Sequence, residues 1–328
     1  MDSVNLLKMG NYDEIKSNID SAMKAGADTD VGLEYKDQVA IRYNEAARHT
    51  ITTGWDVIDD LMDGGLAPGE LGVVMAPAGI GKSWLLINIG ANAVKAGKTV
   101  VHYTLELNQN YVGQRYDSVL TGIPAQNLKN YQEDIEEKMK SIPGELVIKY
   151  YPTKSTGVMG IKAHIEKSAM LGKAPDLVIV DYADLLKVNN KKDKHEALEE
   201  LYEDLRGMAG EYNIPVWTAS QAGRASLEDD IIEADKIAAS YGKVMVSDFL
   251  MSLSRKVEDK LSGTGRGHVI KNRFGPDGIT LPSKINTNNG QFEFFEPQTT
   301  QGKQTTQIMK TGESMIKKTL AQKFKDLG

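Results

Sequence analysis

The sequence predicts an α/β protein whose core is a mostly parallel β-sheet flanked by helices. Three observations carry this. Short apolar, β-rich runs recur from Leu71 onward, and segments with helical spacing of apolar residues separate them. The runs are apolar at successive positions rather than at alternate ones, which marks strands covered on both faces.

In chain order the runs are LGVVMA (71–76), TVVHYTL (99–105), ELVIKYY (145–151), DLVIVDYADLL (176–186), IPVWTAS (214–220), SDFLMSLSR (247–255) and GHVIKNRF (267–274). Helical patterns fill 82–96, 109–121, 130–141, 158–172 and 195–212, the last with a core stripe of Leu198, Leu201, Leu205 and Met208. Strand–helix alternation of this kind implies parallel pairing. The final strands have no helical pattern between them and predict hairpins at one edge. Ahead of the sheet, Ile15, Ile19 and Met23 form a single apolar stripe on a short helix over 12–24, too short to stand alone. A polar linker follows it. After Phe295 the run PQTTQGKQTTQ reads as a second linker, leading to a basic amphipathic tail with Ile316, Leu320, Phe324 and Leu327 on one side. The expected division is 1–49, 50–296 and 297–328.

Composition narrows the function classes. At 328 residues, 41% hydrophobic and 26% charged, the chain is ordinary for a globular protein. No apolar run is long enough to span a bilayer, and the start lacks the basic-then-apolar pattern of a secretory signal. With no cysteine, disulfides, cysteine nucleophiles and thiolate zinc sites are excluded. The five histidines show no metal-ligand spacing. A net charge of −6 confines any nucleic-acid contact to local patches.

The strongest chemical signal is VVMAPAGIGKSWLL: a strand, a glycine-rich loop, then Lys82-Ser83 opening a helix. That is the context of a phosphate-binding loop. Backbone amides of Ala78, Gly79, Ile80 and Gly81 are expected to face phosphate oxygens at the helix N-terminus. Lys82 would reach the β and γ phosphates, Ser83 would ligate Mg²⁺, and Trp84 begins the helix beside them. Ala76 stands where such loops usually begin with glycine. In LVIVDYADLL, Asp181 sits at a strand's carboxyl end, where α/β sheets place ligand-contacting groups, and is a candidate to hold the magnesium. Asp184 could share that role or cap the next segment. Glu106, after TVVHYTLEL, is placed to polarise a water. Gln221, in IPVWTASQAGR, can report on a γ-phosphate. Arg115 is a candidate to stack on adenine. Lys271 and Arg273, two apart in VIKNRFGPDG, share one face of a strand and imply an anion.

Taken in order, ITTGWDVIDDLMDGGLAPGEL, APAGIGKS, YTLEL, VIVDYADLL, NIPVWTASQAGR and IKNRFGP resemble the motor domain of the DnaB-type replicative helicases over about Thr50 to Phe295. The resemblance implies a RecA-like P-loop ATPase core that binds ATP and Mg²⁺ and assembles as a homo-oligomer, a ring of six around single-stranded DNA. It implies that Glu106 activates water, that Gln221 senses phosphate, and that Lys271 and Arg273 act on the ATP of the next subunit. Lys191, Lys192 and Lys194, in the loop KVNNKKDKH, and Tyr241, Gly242 and Lys243, in AASYGKV, match the family's central-channel loops and would contact DNA. A primase or helicase loader is an expected partner, no membrane is, and the expected setting is the cytoplasm of a bacterium or phage-infected cell. The family's helical N-terminal domain has no counterpart here. Two other readings fit the same phosphate loop: a RecA-type recombinase, and an ATP-gated DNA-binding assembly module that unwinds nothing.

Overall fold

The computed structural model describes residues 35, 36, 39, 48–188, 193–223, 229, 231, 232 and 245–325, without the side chains of 194, 313 and 316–325. The chain divides into two units, Met1–Arg48 and His49–Gly328. Only Tyr35, Lys36, Val39 and Arg48 are described in the first, so the short helix expected over 12–24 lies outside the described residues.

In the second unit, helices α1 (Asp56–Leu61), α2 (Lys82–Lys95), α3 (Gln109–Thr121), α4 (Gln132–Lys140), α5 (Val158–Met170) and α6 (Lys194–Tyr212) interleave with strands β1 (Leu71–Ala76), β2 (Thr99–Thr104), β3 (Glu145–Tyr150), β4 (Leu177–Asp181) and β5 (Val216–Gln221). Then come β6 (Phe249–Ser254), α7 (Val257–Ser262), β7 (Thr264–Asn272), β8 (Thr280–Ile285), β9 (Phe292–Phe294) and α8 (Thr300–Lys325). One nine-stranded sheet results, in the order β3-β2-β4-β5-β1-β6-β7-β8-β9. The first six of these strands pair in parallel and the last three antiparallel. This is the expected architecture, with its hairpins at one edge.

Why the central strands are apolar throughout is visible in β1. All six of its residues are buried, and alternate side chains enter different cores. Leu71, Val73 and Met75 meet Ile161 and Ile165 of α5 and Leu201, Leu205 and Met208 of α6. Val74 and Ala76 face Leu85, Leu86, Ile89 and Ala93 of α2. A strand with a helical layer on each side has no solvent face to mark with polar residues.

The run ending DYADLL departs from expectation. The strand stops at Asp181, and Ala183–Leu185 form a 3-10 turn. The larger correction concerns PQTTQGKQTTQ. It is no linker: α8 begins at Thr300 and packs on α7 and β8. Thr305, Thr306 and Thr311 each donate their hydroxyl to the carbonyl four residues earlier. Those bonds satisfy side chains that would otherwise compete with the helix. Thr305 and Met309 are buried, and Gly302 lies so close to the Glu296 carbonyl that a Cβ would collide with it. Packing overrides a composition that favours loop.

Candidate active site

Four parallel strands end at one edge of the sheet and each delivers a group there. The loop 77–83 follows β1, Glu106 follows β2, and Asp181 and Gln221 are the last residues of β4 and β5. Register sets the spacing: Ala76 lies beside Gln221, and Thr104 beside Asp181. The Leu105 N–H then donates to the Asp181 carbonyl at 2.9 Å, which carries Glu106 to the same place.

The loop itself depends on glycine. Gly79 has φ +74° and Gly81 φ +120°, values that disfavour any residue with a Cβ. At Gly81 a Cβ would also stand 3.1 Å from the Phe292 ring. Ala76 needs no such freedom, because it closes β1 as an ordinary strand residue. No side chain caps α2, so the amides of its first turn remain for a ligand. The side chain of Ile80 is buried in the core beneath the loop, so only its backbone can serve a nucleotide.

A cleft of about 320 Å³ opens over this edge. Of the residues predicted for the site, Ala78, Gly79, Gly81, Lys82, Ser83, Trp84, Glu106, Arg115 and Gln221 line it. Leu107 and Tyr182 line it as well and were not foreseen. Lys82 Nζ donates to the Ala76 and Pro77 carbonyls at 3.0 and 3.1 Å, and lies 5.7 Å from the centre of the Tyr182 ring. Burial lowers its pKa, opposed by the charges of Asp181, Glu106 and Asp184. Arg115 sets its guanidinium 4.8 Å from the centre of the Trp84 ring. Burial lowers its pKa too, against Asp181 and Glu106. Its stacking partner here is therefore a side chain of the cleft.

At the floor the Ser83 hydroxyl donates to Asp181 Oδ1 at 3.1 Å. Burial raises the Asp181 carboxyl from 3.8 to about 6, although the Ser83 hydrogen bond and the charges of Arg115 and Lys82 pull the other way. A buried carboxylate held that far above its ordinary range gains from a cation placed next to it. At the rim, Tyr182 donates its hydroxyl to Gln221 Oε1 at 3.3 Å. The residue that caps α6 is Asp193, not Asp184. One Asp184 oxygen accepts from Tyr202 at 3.0 Å and the other from the Gln221 N–H at 3.1 Å.

Lys271 and Arg273 do not line the cleft. β7 runs antiparallel to β6, so its carboxyl end reaches the amino edge of the sheet. There Arg273 Nη1 donates to Asp248 Oδ1 at 2.8 Å, and Lys271 Nζ to the Met245 carbonyl at 2.7 Å. β7 ends at Asn272, so Arg273 lies just past the strand that carries Lys271; burial lowers the Lys271 pKa, and the nearby Arg273 charge lowers it further. Lys191, Lys192, Tyr241, Gly242 and Lys243 lie outside the described residues, as does the side chain of Lys194.

The profile of the DnaB-like helicase C-terminal domain matches residues 50–233, more than half of the chain. The chain belongs to this family. It is 23% identical over 284 residues to a DnaB-like replicative helicase of Enterobacteria phage T4, covering 82% of this chain and 60% of that one. To the replicative DNA helicase DnaB of Mycoplasma genitalium it is 28% identical over 250 residues, covering 70% and 53%. The chain thus spans little more than half the length of these relatives. Among solved structures, a DnaB-like replicative helicase described with its primase interactions superposes with a TM-score of 0.69 at 17% identity, over 90% of this chain and 74% of that one. A second solved structure, described as an ATPase domain, superposes with a TM-score of 0.68 at 18% identity, over 81% and 100%. These likenesses establish the fold, the RecA-like one that the resemblance implied.

Within this DnaB-like site, sequence reasoning missed Tyr182, Leu107 and Asp248. Tyr182 follows Asp181 directly and was within reach of the same strand-end argument. Asp248 carried no local signal. Its importance comes from Arg206 and Arg273, 42 and 25 residues away.

Proposed function

We propose that this chain is the ATP-hydrolysing motor of a replicative DNA helicase, working as a ring of like subunits, six by resemblance, on single-stranded DNA. One observation supports the reading: the cleft with its glycine-rich loop and the pair Lys271 and Arg273 lie at opposite edges of one sheet. Asp248, which holds Arg273, also accepts from the Leu71 N–H at the start of β1. The phosphate loop leaves β1 at Ala76, five strand steps or about 17 Å further on. Arg273 therefore cannot serve the cleft of its own chain, and a neighbouring subunit can.

In the proposed site Lys82 exchanges its two loop carbonyls for phosphate oxygens. Ser83 and Asp181 present two oxygens side by side, a donor set suited to Mg²⁺ completed by phosphate and water. Among the described residues no group of three or more His, Cys, Asp and Glu side chains gathers as a self-sufficient metal cage. A magnesium ion held there would neutralise phosphate charge. Glu106 orients the attacking water and Gln221 touches the γ-phosphate. Arg273, with Lys271, reaches the transferring phosphoryl group from the next subunit, a contribution of roughly 10³–10⁵ in rate for an arginine finger. Lys191, Lys192 and Lys194, with Tyr241, Gly242 and Lys243, track the DNA backbone. A primase or loader is a proposed partner, and the cytoplasm of a bacterium or phage-infected cell the proposed setting.

The test mixes Arg273→Ala subunits, whose phosphate loops are intact, with Glu106→Gln subunits, which keep Lys82 to bind ATP, lack the group that orients water, and have intact fingers. Hydrolysis by the mixture above that of either parent is expected. Absence of that rescue, or full-rate turnover by a lone protomer, overturns the reading.

A further inference from the structure

Helix α6 carries two polar links one turn apart. Tyr202 is fully buried and donates its hydroxyl to Asp184 Oδ1 at 3.0 Å. The other Asp184 oxygen accepts from the Gln221 N–H at 3.1 Å and the Ser220 hydroxyl at 3.3 Å. Asp184 thus ties α6 to the strand end that bears the phosphate sensor. Four residues on, Arg206 donates to Asp248 from Nε at 3.0 Å and from Nη2 at 3.1 Å. That carboxylate also takes Arg273 Nη1 at 2.8 Å and the Leu71 N–H at 2.9 Å. Residues four apart lie on one helix face and advance about 6 Å along it. The first link runs to the carboxyl edge of the sheet, and the second to the amino edge.

We propose that α6 is a strut that passes the state of a chain's own nucleotide site to the finger the same chain presents to its neighbour, with Tyr202 and Arg206 as positioning residues at its two couplings. This rests on the reading above, in which Arg273 acts in trans. A shift of Gln221 toward a γ-phosphate moves its amide, and Asp184 hands that displacement to Tyr202. Leu201, Leu205 and Met208 pack α6 into the core, so the helix moves as a unit. At the other end Asp248 is almost wholly buried, yet it keeps Arg206 and the Leu71 amide when Arg273 leaves. Releasing the finger strands no buried charge, which would otherwise oppose the movement. Coupling of this kind is reciprocal: a finger drawn into the neighbour's site biases the sensor of its own chain.

The test dilutes active protomers with an equal amount of Lys82→Ala protomers and measures ATP turnover per total protomer. Done in wild type, the mixture should fall to about one quarter of the undiluted rate, because a site counts only beside an active neighbour. In a Tyr202→Phe or Arg206→Gln background it should fall to only about one half, as independent sites do, while the undiluted variant stays within about twofold of wild type. A merely structural role would lower the undiluted rate or the melting temperature and leave the dilution behaviour alone. Wild type falling only to one half, or both variants falling as steeply as wild type, overturns the strut. The Arg273→Ala and Glu106→Gln mixture, in which every finger-bearing chain keeps Lys82 and a loaded nucleotide site, reports on the trans finger separately. Rescue with unaltered dilution sinks the strut alone, and absence of rescue sinks the reading beneath it as well.

Discussion

Replacing Asp181 by asparagine is expected to stabilise the nucleotide-free protein while abolishing its hydrolysis. Burial holds this carboxyl at about 6 in the folded chain against 3.8 when exposed. At about 1.4 kcal/mol for each pKa unit, keeping it ionised costs the fold about 3 kcal/mol at neutral pH. The sign follows from proton binding. The folded state holds this proton more tightly, so the favourable contribution is complete below pH 4 and is lost as pH rises through about 6. Asparagine keeps an acceptor for the Ser83 hydroxyl and carries no charge. Urea unfolding without metal or nucleotide should therefore show the Asp181→Asn chain more stable by about 3 kcal/mol at pH 7.5, by about half that at pH 5, and by almost nothing below pH 4. Adding MgATP should stabilise wild type and leave the variant unmoved. An Asp181→Asn protein less stable than wild type at pH 7.5, or a difference that does not shrink toward pH 5, would refute the account of this carboxylate as a desolvated group waiting for a cation.

Two further outcomes are expected. Trp84 lines the cleft, whereas Trp55 and Trp217 are buried at 9% and 1% exposure. Nucleotide should therefore change tryptophan emission chiefly through Trp84. Trp84→Phe should remove most of that signal and, by weakening the stack under Arg115, raise the ATP KM about two- to fivefold; a signal that survives the substitution argues against this placement. Replacing Lys191, Lys192 and Lys194 together by alanine should lower the slope of log affinity against log salt for oligo-dT by about 2. An unchanged slope would remove those lysines from the DNA path.

Much of the site was legible because its signals are local. A glycine-rich loop between a buried strand and a helix, and carboxylates at strand ends, are written in stretches of about ten residues. The strand-end rule then places Lys82, Ser83, Glu106, Asp181 and Gln221 at one edge without knowledge of strand order. The Thr/Gln-rich segment misled for the opposite reason. Its helicity comes from back-bonded hydroxyls and a buried Met309, and composition reports neither.

What the sequence determined by itself was the α/β class, the phosphate loop and the strand ends that face it, since each follows from spacing along a few residues. Tertiary structure alone decided that Arg273 stands at the far edge of the sheet, because strand direction and order arise from pairing between distant segments. It alone decided that Asp184 joins α6 to Gln221 and that Asp248 joins α6 to Arg273. A carboxylate has no partner until the fold brings its cations and hydroxyls within hydrogen-bond distance, and no periodicity along the chain records that meeting.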